Sequence, residues 1–341
     1  MSTVKCLVWD LDDTLWDGVV LEGDDPVPVS AAVETLTALD KRGILHAVAS
    51  RGEHEVAAAH LRRHGLDDLF TVVEVGWGAK SAAVRRIAET LGIGLDTLAF
   101  VDNDPVERAE VAAVLPMVRC YPAEQAGRLP DLGEFQPEFV TAESRQRRTM
   151  YRVEAERRSA EEDHTGPATD FLASLGLVLT LRPATPDDLA RAHELTVRTH
   201  QLNTTGWTAD MAELRRLCAS GDHEVLVASL TDRFGPYGTI GLAISEIGAT
   251  ESVLKLLLMS CRVTSRGVGA VLLDHLVRRA LAAGRRPRAE FVPTSVNRIM
   301  LVTLRFAGFD VVDRAGDRLL LELRNEPSAQ TGHVRVVTPG F

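Results

Sequence analysis

Three aspartates near the N-terminus stand at the end of an apolar segment. Residues 7–9 are typical of a buried strand, and Asp10, Asp12 and Asp13 follow it. Carboxylates in this position are costly unless positive charge neutralises them, and the carboxyl ends of parallel strands are where open α/β sheets bind ligands. The pattern favours a Mg²⁺ site beside a carboxylate that can attack phosphorus. An acidic turn that caps the next segment explains this motif alone about equally well.

Single polar residues follow later apolar segments in the same way. Ser50 follows a predicted strand at 44–49, Asp102 follows one at 98–101, and Lys80 begins a predicted helix. Each alone has a structural explanation, as a helix cap, a capping turn or a solvated surface lysine. Their recurrence in order, each at a strand end or a helix start, makes coincidence improbable and favours one shared site.

These side chains could divide the tasks of phosphoryl transfer between them. Asp10 would attack phosphorus and form an aspartyl phosphate, while Asp12 would protonate the leaving oxygen and later activate water. Ser50 and Lys80 would hold the phosphoryl oxygens, with Lys80 supplying a fixed positive charge. The reaction class indicated is phosphate transfer through a carboxylate nucleophile.

The same segments supply the candidate metal ligands, because an anionic nucleophile needs the charge of the phosphoryl group cancelled. Asp102 would hold Mg²⁺ opposite Asp10, and Asp12 completes the predicted set of carboxylates. Asp102 is followed by Asn103 and Asp104 rather than by a second aspartate directly. The sequence leaves open whether Asp104 or water completes the metal shell.

The order of elements predicts the fold class. Strands alternate with helices up to a predicted fifth strand at 114–120, which indicates a parallel doubly wound sheet with a minimal cap or none. The chain has 341 residues, enough for two domains. The predicted organisation is an α/β domain at 1–122, a linker and charged helix at 123–170, a second domain at 171–325 and a C-terminal tail at 326–341.

The second domain reads as a mixture of strands and helices. The charged helical stretch 141–163 favours a solvated or domain-bridging helix, and Thr185 begins a helix with a cap, a proline and early acids. Further strands are predicted at 177–182, 225–230, 239–247, 254–261, 289–292 and 319–323, and further helices at 270–283 and 297–307.

Composition and charge exclude several classes of protein. Hydrophobic residues make up 45% and charged residues 25% of the chain, as in ordinary globular proteins. Residues 1–140 carry 24 Asp+Glu against 12 Lys+Arg, which disfavours nucleic acid as a partner. No apolar run reaches membrane-spanning length and no signal-like segment is present, so we expect no membrane partner and a cytoplasmic location. Four cysteines without a CxxC pair argue against a disulfide framework or a cysteine zinc site.

The motifs together resemble a known family. The D-x-D-x-T-L string at Asp10 resembles motif I of the haloacid dehalogenase (HAD) superfamily, and Ser50, Lys80 and Asp102 match its later motifs in order. The run from Trp9 to Gly18 is similar to the narrower FkbH-like branch. So are three later stretches, which comprise 199–203 (R-T-x-Q-x-N type), 259–267 (SCRV-x-x-RG) and 293–297 (P-T-x-x-N).

The second domain resembles the GNAT acyltransferase fold. In that family a glycine-rich turn after a strand presents backbone N–H groups to a phosphopantetheine tail, and Arg266-Gly267-Val268-Gly269 matches the start of the turn. Val271 stands where the family prefers Gly or Ala. The resemblance therefore implies a HAD-like Rossmannoid sheet followed by a GNAT-like α+β domain.

The resemblance to FkbH-like proteins implies a specific activity. Such an enzyme takes 1,3-bisphosphoglycerate, removes phosphate and delivers a D-glyceryl thioester to the phosphopantetheine of an acyl carrier protein, for polyketide-type biosynthesis. The substrate-binding residues that it implies are Thr14, Ser50, Arg51, Asn103, Gln201, Asn203, Arg262, Arg266, Gly267, Gly269, Thr294 and Asn297.

Cys261 is the candidate for carrying the acyl group, since a thiolate can displace phosphate from an acyl phosphate and store the acyl group as a thioester. It is predicted at a strand end before the glycine-rich turn, whereas Cys6, Cys120 and Cys218 are predicted as structural. A plain core cysteine is the alternative interpretation. His200 is a candidate base for the thiol, but a lone histidine is more often structural.

Two other functions fit the same sequence. One is a capless phosphatase fused to a GNAT-type amine acyltransferase, and the other is a degenerate scaffold that only positions a carrier protein. The arginines between Arg278 and Arg288 could dock an acidic carrier protein or form a solvated helix end.

Overall fold

A computed structural model describes residues 3–23, 25–199, 201–325 and 332–340, without the side chains of Arg198, Cys261 and Ser265. The chain divides into two compact units, Met1–Ala155 and Glu156–Phe341. The boundary falls inside the predicted linker and charged helix. Among the described residues, no helix has both the length and the apolar composition needed to cross a bilayer.

Unit 1 is built on a parallel sheet of five strands in the order β3-β2-β1-β4-β5. The strands are β1 Cys6–Trp9, β2 Leu45–Ser50, β3 Phe70–Val75, β4 Leu98–Asp102 and β5 Arg119–Pro122. β1 lies at the centre and its four residues are fully buried. The predicted doubly wound parallel sheet is confirmed.

Helices cover both faces of this sheet. They are α1 Ser30–Lys41, α2 His54–Arg63, α3 Lys80–Leu91, α4 Pro105–Val114, α5 Ala142–Arg145 and α6 Arg147–Glu162, the last of which reaches into unit 2. Successive residues of a strand point to opposite faces, and accordingly Leu7 and Trp9 belong to one apolar core while Cys6 and Val8 belong to the other. The fifth strand was predicted to begin at residue 114, but α4 continues to Val114 and β5 begins only at Arg119.

The segment after β5 was predicted as a linker, yet it is packed into unit 1. It forms 3-10 helices over Ala123–Asp131 and Gly133–Phe135, and Phe135 is fully buried. Thr35 donates a hydrogen bond to the carbonyl of Ala126 at 2.9 Å. Apolar side chains spaced along the segment therefore outweigh its proline- and glycine-rich composition.

Unit 2 is built on a sheet of eight strands in the order β11-β12-β10-β9-β8-β7-β6-β13. The strands are β6 Leu177–Pro183, β7 His223–Asp232, β8 Gly235–Ile247, β9 Glu251–Met259, β10 Arg286–Phe291, β11 Phe309–Ala315, β12 Arg318–Leu323 and β13 Val334–Val337. β9 pairs with β10 in parallel, as β13 does with β6, and the other neighbours are antiparallel. β13 lies within the stretch that was predicted as a tail.

The helices of unit 2 cover two faces of its sheet. They are α7 Ala168–Ser174, α8 Leu189–Arg198, α9 Met211–Ala219, α10 Val268–Ala282 and α11 Arg298–Phe306. Val225 and Val227 face a core with α8 and α9, whereas Leu226 and Ala228 face a larger core with α10 and α11. The predicted capping box at Thr185 is present. This arrangement confirms the predicted fold class of a parallel α/β sheet followed by an α+β domain.

One arginine of the charged helix is not solvated as the charge pattern suggested. Arg157 is 1% exposed, and its Nε lies 2.8 Å from Oδ2 of Asp232. Its guanidinium stacks 3.7 Å from the centre of the Tyr237 ring. A fork-shaped, weakly hydrated cation suits such a buried pair. The last turns of α6 are thus held in the core of unit 2.

Candidate functional site

The carboxyl edge of the unit 1 sheet brings together the predicted phosphoryl-transfer residues. Asp10 follows β1, Ser50 ends β2 and Asp102 ends β4, and these three strands are neighbours. Lys80 is the first residue of α3. All four side chains are at least nine-tenths buried. The sequence spacing therefore converges on one place, as parallel strands require.

Lys80 lies between two of the carboxylates. Its Nζ forms a short ion pair with Oδ1 of Asp10, lies 3.2 Å from Oδ2 of Asp102, and donates to the carbonyl of Ala49 at 2.8 Å. Because a buried lysine needs compensating negative charge, this placement explains why a helix that begins with lysine meets the ends of β1 and β4.

The site carries more negative than positive charge. Burial, and then the neighbouring charge of Asp10, raise the pKa of Asp102 to about 6, against the opposing effect of Lys80. Oδ2 of Asp102 is buried and accepts no hydrogen bond from the residues that the structure describes. Oxygen donors with uncompensated charge suit Mg²⁺. Asp10 and Asp102 therefore fit a divalent cation, which would balance the negative charge that Lys80 does not neutralise.

Thr14 and Asn103 tie the two acidic segments to each other. The hydroxyl of Thr14 lies 3.3 Å from Oδ2 of Asp10 and accepts from the backbone N–H of Asn103 at 3.0 Å. Asp104 instead caps α4, accepting from the N–H of Val106 at 2.8 Å. Of the two acids after β4, the structure turns Asp102 toward Lys80 and Asp104 toward the helix start.

Asp12 occupies a different environment from Asp10. Its Oδ1 accepts from Nε1 of Trp16 at 2.8 Å and from the N–H of Val20 at 3.3 Å. The intervening residue Asp13 adopts a φ of 51°, which a non-glycine residue rarely does. The turn thus separates the two carboxylates, and Trp16 orients Asp12.

Ser50 and Arg51 are less engaged. The Ser50 hydroxyl lies 3.4 Å from the carbonyl of Arg51, and the exposed Arg51 guanidinium lies 2.6 Å from Glu107. A cleft of about 10 Å³ beside them is also lined by Asp12, Trp16 and Leu21. The loop between β1 and α1 therefore forms one wall of this cleft.

The asparagines of the second predicted site are used for internal hydrogen bonds. Nδ2 of Asn297 donates to the carbonyls of Asn203 and Val292, both at 2.9 Å. Oδ1 of Asn203 accepts from the N–H groups of Thr205 and Gly206 at 3.1 and 2.8 Å. These residues fix loop conformations, while Gln201 is exposed and Thr294 accepts from the N–H of Asn297.

These loops fill the place where two parallel strands separate. β9 and β10 pair only as far as Leu254 and Ala289. Beyond that point Thr204 donates from its N–H to the carbonyl of Leu257 at 3.0 Å and accepts from the N–H of Val292 at 3.0 Å. The segment around Asn203 is therefore an inserted bridge between the two strands.

The glycine-rich turn is also packed from within. Arg266 is 3% exposed, and its Nη1 lies 3.0 Å from Glu161. A Cβ on Gly269 would lie 2.4 Å from Cε of Met259, and Gly267 has a φ of 71°. The left-handed turn thus requires Gly267, whereas a Cβ on Gly269 would displace only the flexible end of the Met259 side chain. Arg262 donates to the Ser260 hydroxyl at 3.3 Å.

The position of Cys261 differs from the prediction. β9 ends at Met259, and Cys261 begins a 3-10 helix, Cys261–Arg266. Its side chain lies outside the described part of the structure, as does residue His200. Burial raises the pKa of the other three thiols, that of Cys120 to about 11. These three are poor nucleophiles near neutral pH.

A pocket in unit 2 escaped the sequence analysis. It has a volume of about 420 Å³ and is lined by Thr205, Trp207, Arg216, Leu217, His223, Ile244, Glu246, Lys255, Glu290, Val292 and Arg318. Nζ of Lys255 lies 3.3 Å from Glu246, and Nη1 of Arg318 lies 2.9 Å from Glu290. The signal in the sequence that could have revealed this pocket is the presence of the charged residues Lys255 and Glu290 inside strands β9 and β10.

The arginine cluster of unit 2 is largely neutralised. Arg278, Arg279, Arg286 and Arg288 each form an ion pair with an acidic residue of the same unit. Paired charges create a weaker long-range field than the sequence count suggested.

No protein-family model and no curated protein sequence matches this chain. Among solved structures, the N-terminal part of the protein BF1531 from Bacteroides fragilis, containing a phosphatase domain complexed with Mg, is 30% identical and has a TM-score of 0.35. The match covers 40% of this chain, which spans 40% of the length of that protein.

Two N-acetyltransferase structures are each similar over 43–45% of this chain. The ribosomal-protein-S18-alanine N-acetyltransferase from Escherichia coli is 15% identical, with 45% of this chain and 97% of that one covered and a TM-score of 0.35. The PaiA N-acetyltransferase from Thermoplasma acidophilum, in complex with coenzyme A, is 17% identical, with coverages of 43% and 99% and a TM-score of 0.35. The fold of this chain is therefore assigned from its own strand order and side-chain geometry rather than from these similarities.

Proposed function

We propose that unit 1 is a Mg²⁺-dependent phosphatase that uses an aspartate nucleophile. The observation that carries this proposal is the placement of Lys80 between Asp10 and Asp102 at the carboxyl edge of the sheet. Mg²⁺, held by Asp10 and Asp102 with Asp12 nearby, would neutralise the phosphoryl charge. The raised pKa of Asp102 supports a cation there.

The residues of unit 1 then have defined roles. Oδ2 of Asp10 attacks phosphorus while Lys80 holds Oδ1, and the bond to the leaving oxygen breaks. Asp12 donates a proton to that oxygen and later takes one from the water that hydrolyses the aspartyl phosphate. Trp16, which donates to Asp12, positions this acid–base group. Thr14, Ser50, Arg51 and Asn103 surround the phosphoryl position.

We further propose that the whole chain converts 1,3-bisphosphoglycerate to a D-glyceryl thioester on an acyl carrier protein in the cytoplasm. The Cys261 thiolate attacks the acyl phosphate at its carbonyl carbon, forms an enzyme thioester and releases inorganic phosphate. The phosphopantetheine thiol of the carrier then takes over the acyl group by thioester exchange. The raised pKa values of the other thiols support Cys261 as the nucleophile. The 420 Å³ pocket in unit 2, which is lined by both apolar and charged side chains, has room for a small hydroxylated acyl group.

Intact-mass analysis of the purified enzyme with 1,3-bisphosphoglycerate, Mg²⁺ and holo-carrier protein tests both steps. Asp10→Asn should abolish release of the monoester phosphate, and Asp13→Asn is the matched control because Asp13 is the neighbouring carboxylate outside the Lys80 ion pairs. Cys261→Ala should abolish the acylated enzyme.

Three results would contradict parts of the proposal. Phosphate release by Asp10→Asn at the wild-type rate excludes the aspartate nucleophile. Normal carrier loading by Cys261→Ala excludes the thiol relay. Acyl transfer from acetyl-coenzyme A to an amine, without carrier loading, would assign unit 2 to amine acylation instead.

A further inference from the structure

A second cluster of metal-ligating side chains lies in unit 1, separate from the Asp10–Lys80–Asp102 ion pairs. His60 belongs to the last turns of α2, His64 follows at its C-terminal end, and Asp25 comes from the loop between β1 and α1. One candidate ligand atom from each residue lies within 4.8 Å of the other two. Two imidazoles and a carboxylate are ligands that zinc and related divalent transition metals take.

The histidines are oriented as a pair. Residues four apart lie on the same face of a helix, and the rings of His60 and His64 have centroids 4.6 Å apart. Nε2 of His60 lies 2.9 Å from the carbonyl of Pro26. When Nε2–H donates to that carbonyl, Nδ1 carries the lone pair, which is the second-shell arrangement that metal-binding histidines usually have. Pro26 also places the adjacent Asp25 beside α2.

His64 has an unused ligand atom at this place. Its Nε2 is buried and has no hydrogen-bond partner in the described part of the chain. A buried ring nitrogen without a partner is destabilising, so native proteins rarely keep one without reason. A metal ion between His64, His60 and Asp25 would supply the missing interaction.

One ion pair competes with this use of Asp25. Both of its carboxylate oxygens accept from the Arg63 guanidinium, at 2.6 and 2.8 Å, and the two side chains are about 60% exposed. Exposed ion pairs contribute little to stability. A divalent ion that is also bound by two imidazoles can therefore displace Arg63 or share the carboxylate with it.

We propose that Asp25, His60 and His64 bind one divalent transition-metal ion of the zinc class, with water completing the shell. The ion would fasten the loop between β1 and α1 to α2. The Trp16 ring lies edge-on to His60, with centroids 4.7 Å apart, and its Nε1 donates to Asp12. This metal site therefore adjoins the phosphatase site through Trp16, although it does not depend on the function proposed for that site.

Zinc binding to the full-length chain tests the inference. The zinc affinity is measured in excess Mg²⁺ by competition with a chromophoric chelator, and the imidazole ¹⁵N chemical shifts are recorded with and without Zn²⁺. We expect tight binding of zinc with shifts of the His60 and His64 nitrogens. His64→Gln and Asp25→Asn should each weaken binding by at least about tenfold, the loss that even second-shell changes cause.

Two variants separate ligation from general damage. Arg63→Gln should tighten zinc binding, because it removes both the competing donor and a nearby positive charge. His54→Gln, an exposed histidine at the start of the same helix, should leave the affinity unchanged. Equal zinc affinity in wild type and His64→Gln, or unshifted His60 and His64 nitrogens, would overturn the proposal. Mg²⁺-dependent phosphate release, assayed separately, reports on the phosphatase independently.

Discussion

The two units use their motif residues in opposite ways. In unit 1 the polar motif residues converge on Lys80 and leave negative charge unbalanced, as the raised pKa of Asp102 records. In unit 2 the motif residues Asn203, Asn297 and Arg266 bond to other groups of their own unit. Excess charge indicates a site that awaits a ligand, whereas satisfied amides indicate a scaffold that shapes one.

Removing the charge of Lys80 is expected to have the largest effect on stability and on phosphate release. Lys80→Met leaves Asp10 and Asp102 facing each other in a buried site, which costs about 3–5 kcal/mol of unfolding free energy when one partner of a buried pair is lost. Phosphate release should fall by at least about a thousandfold. Chemical denaturation in EDTA and in Mg²⁺ measures this.

Mg²⁺ should restore part of the lost stability of Lys80→Met, because a cation can replace the lysine charge. Lys41→Met, on the exposed end of α1, is the control. Full activity and unchanged stability of Lys80→Met would show that the unit 1 carboxylates do not depend on a cation.

The unit 2 asparagines should matter for stability rather than for phosphate release. Asn297→Ala removes the donor to the buried carbonyl of Asn203 and to the part-buried carbonyl of Val292, and a buried unsatisfied group costs about 1–3 kcal/mol. Asn203→Ala should also destabilise unit 2, because it removes the acceptor for the N–H groups of Thr205 and Gly206. Hydrogen exchange of the β9 and β10 amides measures both. A large fall in phosphate release without loss of protection would contradict the scaffold role.

Low pH should destabilise unit 1 because His46 is buried in its neutral form. Burial lowers the pKa of His46 from 6.5 to about 4, and its ring is held between Trp9 and the carbonyl of Leu36. As pH falls, the unfolded chain takes up the proton first, so stability is present above 6.5 and is lost toward 4. The expected loss between about pH 7 and pH 5 is about 2 kcal/mol.

The pH profile of hydrogen exchange in β1 and β2 measures this loss. His46→Gln should have a flatter profile than wild type, while the exposed-histidine variant His54→Gln should keep the wild-type slope. An equal slope in His46→Gln would assign the acid sensitivity to another group.

The smallest effect is expected for the exposed pair Arg51–Glu107. The Arg51 side chain is 55% exposed, and such exposed ion pairs contribute up to about 1 kcal/mol to the free energy of unfolding. Arg51→Gln and Glu107→Gln should therefore change stability little and similarly. If Arg51 contacts phosphate, only Arg51→Gln should raise KM, so equal KM values in the two variants would remove Arg51 from the site.

The unit 1 site could be predicted largely from sequence because backbone geometry alone assembles it. Apolar strands must be buried, parallel neighbours end at one edge, and the residue after each strand is then fixed in place. The predicted helix start at Lys80 matches α3, and the predicted strand 98–101 matches β4 to within one residue. Sequence spacing could not decide whether Asp102 or Asp104 faces the predicted metal site, since the capping of α4 by Asp104 depends on side-chain geometry.

Unit 2 was harder to predict because its features depend on packing. β11 is exposed along most of its length and lacks an apolar signature, so it was missed. Arg266 was expected to contact a ligand, but its side chain turns inward to Glu161. The 420 Å³ pocket is formed by residues from several elements that no single motif joins. Pairings between distant residues carry no local signal in one sequence.

The most direct test of the central claim is to locate a phosphoryl group on the enzyme. The chain is incubated with a small phosphomonoester and Mg²⁺, quenched in acid and mapped by peptide mass spectrometry. We predict one phosphoryl group on Asp10, absent in EDTA and in Asp10→Asn. Hydrolysis of the phosphomonoester with phosphorylation at another residue, or hydrolysis that persists in Asp10→Asn, would contradict the account.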